Sequence, residues 1–142
     1  VLICGISAKD LACFPSQLEG ELIKYKATVL HVGELVSEFT DAGILVFFGE
    51  SAPQELYEFS VIHDGKNLEA DLVPGDQISL DGEKYQILAV GEVANVNFKN
   101  LGHLVLKFNG QTEVEMPGDV CVEQKPLVLM HPGSIIEISE EK

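Results

Sequence analysis

Glycine-bearing turns punctuate this chain from one end to the other. D-A-G (41–43), D-G (64–65), P-G-D (74–76), D-G-E (81–83), N-G (109–110), P-G-D (117–119) and P-G-S (132–134) interrupt every apolar stretch. Between them lie segments of strand length. Y-K-A-T-V-L-H-V (25–32) alternates and is β-branched, and G-I-L-V-F-F-G (43–49) reads as a buried strand bounded by glycines. E-F-S-V-I-H (58–63), Q-I-S-L (77–80), K-Y-Q-I-L-A-V (84–90), H-L-V-L-K-F (103–108), T-E-V-E-M (112–116), D-V-C-V (119–122) and S-I-I-E-I (134–138) follow. D-G-E and N-G between such runs are hairpin signals. The three P-G turns each introduce a strand, and turn chemistry accounts for their recurrence without a sequence repeat. The expected fold is mainly β: a small barrel-like body of short, mostly antiparallel strands.

One segment breaks the two-residue period. In E-V-A-N-V-N-F-K-N-L-G (92–102), Ala94, Phe98 and Leu101 recur at helical spacing. Glu92 opens the first turn, Lys99 lies in the last, and Gly102 takes the position after the end. This predicts one short helix near 92–101, with His103 at the joint to the next strand. A second short helix fits Pro53–Tyr57.

At 142 residues the chain is expected to form a single domain over 23–142, preceded by an N-terminal extension, 1–22, to which no role is assigned. That extension lacks the basic start and continuous apolar core of a secretory signal. No apolar run approaches the roughly 20 residues of a membrane span. Cys4, Cys13 and Cys121 are odd in number and fit no C-x-x-C spacing, so they read as reduced thiols of a cytoplasmic protein.

Charge narrows the partners. The net charge is −14, all nine basic residues are lysine, and arginine is absent. Nucleic acid is not an expected partner, because phosphate backbones are bound by clustered cations. An arginine clamp on phosphate is excluded outright. An acidic surface suits brief, fast association with a basic protein. No phosphate-binding glycine loop and no G-x-S-x-G elbow are present, so no nucleotide or other cofactor is expected. Ser60 reads as an ordinary strand serine.

Histidine remains. His31 lies mid-strand and His131 precedes Pro132, and both read as structural. His63 ends an apolar strand and precedes D-G, whose turn offers backbone donors. A neutral imidazole can take a phosphoryl group on one nitrogen while a hydrogen bond fixes the other. Such a site needs donors for the phosphoryl oxygens, access for a large donor, and an apolar rim against water. Phe59, Ile62 and Phe47 or Phe48 are the expected rim. Asp64 or a backbone carbonyl is expected to hold the tautomer, with His103 alongside. The histidine spacing fits no zinc motif and no metal is expected, although a two-histidine centre assembled by folding stays open.

Several motifs together carry a resemblance. E-F-S-V-I-H, L-V-P-G-D, Y-Q-I-L-A-V-G-E-V-A-x-x-N-F-x-x-L-G-H-L-V-L-K-F-N-G, E-x-P-G and P-G-S-I-I-E-I, spanning about 23–138, resemble the glucitol/sorbitol-specific IIA component of the bacterial sugar phosphotransferase system. The resemblance implies a cytoplasmic phosphocarrier with an all-β, barrel-like body. It implies that the histidine-containing phosphocarrier protein phosphorylates a histidine here. The group would then pass to a cysteine of the IIB component, for sorbitol entering through IIC. The family's phosphorylated histidine falls on His63 and the L-G-H histidine on His103, to which we assign a supporting role on chemical grounds. The competing reading is a non-enzymatic β-barrel binding or regulatory module with structural histidines. A third is a metal-dependent enzyme using the same two rings.

Overall fold

The computed structural model describes residues 22–65 and 68–140. Among these, eight strands form a closed barrel: β1 (Leu22–Val32), β2 (Ile44–Gly49), β3 (Val61–His63), β4 (Gln77–Leu80), β5 (Glu83–Val90), β6 (Leu104–Lys107), β7 (Asp119–Val122) and β8 (Ile135–Glu140). Around the barrel they run β1-β3-β2-β6-β7-β5-β4-β8, and β8 pairs with β1 to close it. Closure leaves no unpaired edge. Cys4, Cys13 and nearly all of the 1–22 extension lie outside the described residues, and β1 already begins at Leu22.

Most pairs are antiparallel as expected, but β3 runs parallel to β2, and β7 parallel to β6. The second of these corrects the hairpin expected at N-G. Residues 112–116 form no strand. Instead Asp119 enters beside Val105, and its carboxylate meets Lys107 Nζ at 2.8 Å. The chain therefore loops out after Asn109 and returns in the same direction as β6. At 81–82 the hairpin expectation holds. Asp81 and Gly82 both adopt positive φ (53° and 89°), the two-residue geometry that matches strand twist.

Among the described residues there are two short helices, named α1 (Val36–Asp41) and α2 (Ala94–Leu101), with a 3-10 turn at Gln54–Phe59 where a short helix was expected. α1 was not expected: six residues are too few to show a helical period. Its Phe39 packs with Leu56 and Tyr57 over the outer face of β2 and β3. That cover explains why β2 is buried on both faces. Leu45 and Phe47 point into the barrel, while Val46 and Phe48 join Ile62 beneath the outer layer. The strands β4 and β6 keep a clean alternation, with Ile78, Leu80, Leu104 and Leu106 inside. α2 sends Ala94 and Phe98 into the same core.

Candidate functional site

The ends of β2, β3 and α2 converge. His63 is the last residue of β3 and pairs with Gly49 at the end of β2 and with Val29 of β1. Strand alternation puts Val61 and His63 inside and Ile62 outside. The imidazole therefore enters an aromatic cage. Tyr25 meets it edge-on at 5.8 Å between ring centroids, and Phe47 and Phe98 each lie at 6.3 Å.

Both ring nitrogens are held by the main chain. His63 Nε2 lies 2.9 Å from the Gly102 carbonyl oxygen, and the Gly65 N–H donates to Nδ1 at 3.1 Å. A carbonyl can only accept and an amide N–H can only donate, so the proton is on Nε2 and the lone pair on Nδ1. Burial lowers the imidazole pKa below its ordinary 6.5; the Gly102 carbonyl and the charges of Asp64 and Glu50 oppose that without reversing it. Asp64 does not hold the tautomer. Its carboxylate accepts from the Thr28 N–H at 2.8 Å, and its own N–H donates to the Thr28 carbonyl, which locks the strand end.

His103 begins the exit from α2. Its Nδ1–H donates to the Phe47 carbonyl at 3.2 Å, and its ring stacks on Phe48 at 4.1 Å and 16°. Burial lowers its pKa as well. The two imidazoles are thus neighbours without being a facing pair. His63 lies inside the sheet against Phe47, and His103 outside it on Phe48. Each binds backbone of the segment that carries, or adjoins, the other: Gly102 immediately precedes His103, and Phe47 lies two residues before Gly49, the partner of His63.

Exposure departs from expectation. His63 is 1% exposed, and Phe47, Phe48 and Ile62 are buried core residues that form no rim. The glycines that hold the His63 ring, Gly65 and Gly102, line a cleft of about 270 Å³ together with Tyr25, Gly49, Ser51 and Lys99 among others; His63 itself does not line it. Three of these are glycines at close approaches. A Cβ on Gly102 would lie 2.8 Å from the Gly49 nitrogen and 3.1 Å from His63 Cε1, and one on Gly65 would overlap the Tyr25 hydroxyl. Reading the sequence for titratable groups missed this wall. The signals were the glycines in H-D-G and L-G-H, read as a turn with backbone donors and as a helix stop.

The other candidates stay apart. His31 is exposed, with its ring near Tyr57, and His131 is exposed, with Nε2 3.7 Å from Asp81. Ser60 is fully buried and its hydroxyl has no partner among the described residues. Cys121 is a buried free thiol. No described helix is long and apolar enough to cross a membrane.

A closed barrel with an inward imidazole clamped at both nitrogens by backbone that walls a cleft defines a small β-barrel domain with a buried, fixed histidine at one end. Comparison with known proteins gives the family. The family described as PTS system glucitol/sorbitol-specific IIA component matches residues 24–137. Two proteins named PTS system glucitol/sorbitol-specific EIIA component, from Shigella flexneri and from Escherichia coli (strain K12), are each 36% identical over 118 residues. In both cases the match covers 83% of this chain and 96% of the relative. A crystal structure of a PTS system IIA component from Enterococcus faecalis V583 shares the fold, with a TM-score of 0.67 at 24% identity over 78% of this chain and 96% of that one. The chain belongs to the glucitol/sorbitol-specific IIA family, and so is a component of a sugar phosphotransferase system.

Proposed function

We propose that His63 is the phosphoryl acceptor of this IIA component. It takes the group from the histidine-containing phosphocarrier protein in the cytoplasm and hands it to a cysteine of the IIB component, for sorbitol entering through IIC. The observation that carries the reading is the state of the His63 ring: neutral, and orientationally fixed by two main-chain contacts from Gly65 and Gly102, which line a cleft. A neutral, oriented imidazole is a competent nucleophile that needs no base. Its closed setting shields the phosphoramidate from water once formed. Whichever nitrogen reacts, one backbone partner must let go first, so donor docking and a small opening at Gly65 or Gly102 belong to the same step. His103, hydrogen-bonded to Phe47 and stacked on Phe48, supports the β2 end against which His63 is paired. A surface of net charge −14 suits a basic donor protein.

Exposure favours a second reading, with His103 as acceptor, because its Nε2 has no partner among the described residues and its ring is only partly buried. Incubation with the phosphorylated phosphocarrier protein separates the two. The wild-type chain acquires acid-labile, base-stable phosphate, His63→Gln acquires none, and His103→Gln is labelled more slowly. Full labelling of His63→Gln with none on His103→Gln would transfer the role to His103. No labelling of the wild type would leave a barrel with structural histidines.

A further inference from the structure

Tyr25 is a group beside His63 that the relay as stated leaves unused. Its side chain is 4% exposed, its ring sits 4.4 Å from Phe98, and it presents an edge to His63. Buried tyrosine hydroxyls normally find a partner. Among the described residues the sealed polar atoms without a partner are Ser60 Oγ and Gln77 Oε1, and the Tyr25 hydroxyl is not one of them. It is not sealed in the core, since Tyr25 lines both the cleft walled by Gly65 and Gly102 and an adjoining shallow one bordered by Asp64 and Gly65. Its position is fixed by Gly65, where a Cβ would overlap the hydroxyl, and the N–H of that same glycine donates to His63 Nδ1. The tyrosine therefore touches the His63 ring by its edge and lines a cleft whose wall glycines, Gly65 and Gly102, hold the two nitrogens of that ring.

Resting on the reading of His63 as acceptor, we infer that Tyr25 is a catalytic residue of the transfer. Its hydroxyl donates a hydrogen bond to an oxygen of the phosphoryl group as that group arrives on His63. In the step, the P–N bond to the donor's histidine breaks and its electron pair returns to the donor ring. A His63 lone pair forms the new P–N bond. Tyr25 keeps its proton throughout, serving only as a donor. The charge of a transferring phosphoryl group is spread over its three non-bridging oxygens, and fixed donors aimed at them are what stabilise it. This chain has no arginine to supply them. The tyrosine is suited to the task because burial and the nearby Asp64 charge push its pKa up to about 12, so the proton stays in place.

The experiment is Tyr25→Phe in the full chain, which keeps the ring against His63 and Phe98 and deletes only the hydroxyl. Loss of one donor to a charged transition state predicts a fall of roughly 10- to 100-fold in the rate of His63 phosphorylation by the phosphorylated phosphocarrier protein. The thermal midpoint and the histidine NMR signals of the unphosphorylated protein should not move. The phosphorus resonance of the phosphorylated protein should shift. Labelling at the wild-type rate with an unmoved phosphorus resonance overturns the inference and leaves His63 as acceptor, whereas labelling of His63→Gln overturns the acceptor reading itself. Should Tyr25→Phe fold poorly, 3-fluorotyrosine placed at 25 alone keeps the packing and sharpens the donor. An unchanged rate in that protein likewise overturns the proposal.

Discussion

At the scale of the residue, the environment of His63 sets when it can react. Both His63 and His103 have pKa values lowered by burial, so each is neutral in the folded protein at pH values where the unfolded chain begins to protonate. The sign of the stability effect follows. Above about pH 6.5 both states hold the rings neutral and the full contribution is present. As the pH falls below that value the unfolded chain binds protons first, and stability drops until the lowered folded values are passed. Denaturant melts of the wild type from about pH 8 to about pH 5 should therefore lose stability faster than those of a His63→Gln/His103→Gln protein. Parallel pH curves for the two would contradict the burial of these rings. The same residues show where sequence reading stops. Placing His63 at a strand end, with a backbone donor from D-G, needed only local pattern. Its enclosure depends on Tyr25, Phe47 and Phe98, which are far from it in sequence and come together only through the barrel's closure.

At the scale of the element, α2 and the glycine that ends it connect the fold to the site. Gly102 adopts φ 66°, the left-handed conformation that ends helices, and its N–H closes on the Phe98 carbonyl at 2.9 Å. The same residue gives its carbonyl to His63 and passes within backbone distance of Gly49. A methyl group at 102 thus meets two objections, the conformation and the β2 backbone. Gly102→Ala should lower stability by at least about 1–2 kcal/mol, the usual penalty for a side chain in that conformation. It should also shift the His63 signals in an NMR spectrum. A variant with wild-type stability and unmoved His63 signals would show that α2 does not set the ring. This element was readable in advance because Ala94 and Phe98 at helical spacing, Lys99 and Gly102 agree on one helix and one stop, although Leu101, expected on the same face, is 48% exposed and Glu92 lies before the first turn. The N-G at 109–110 was misread for the converse reason. The turn forms, with the Asn109 side chain accepting from the Gln111 N–H, but the partner strand is chosen by pairing of Lys107 with Asp119, ten residues past the start of the turn. Local turn chemistry carries no record of that choice.

At the scale of the whole molecule, the barrel end that holds Tyr25 and His63 is pinned by a buried ion pair. Lys24, 3% exposed on β1, meets Asp76, 2% exposed in the turn before β4, at 2.7 Å. The lysine also donates to the Asp71 carbonyl at 2.8 Å, and the Asp76 carboxylate accepts from the Val73 N–H at 3.0 Å. Asn95 of α2 binds the same loop through both polar groups of Leu72, at 2.7 and 3.1 Å. The loop at 71–76 is thereby tied to the strand that carries Tyr25 and to the helix that carries Phe98. Nothing local in the sequence signals this, since I-K-Y-K reads as plain alternation and V-P-G-D as plain turn. A buried pair is costly to break because the survivor keeps its charge without water or a partner. Lys24→Met should therefore destabilise the fold by about 3–5 kcal/mol, and Lys24→Met/Asp76→Asn by distinctly less, since the stranded carboxylate is gone. Urea midpoints at constant transition slope give both values. Should Lys24→Met cost no more than about 1 kcal/mol, the pair behaves as a solvent-exposed one, and the loop is held over the barrel by Asn95 and packing instead.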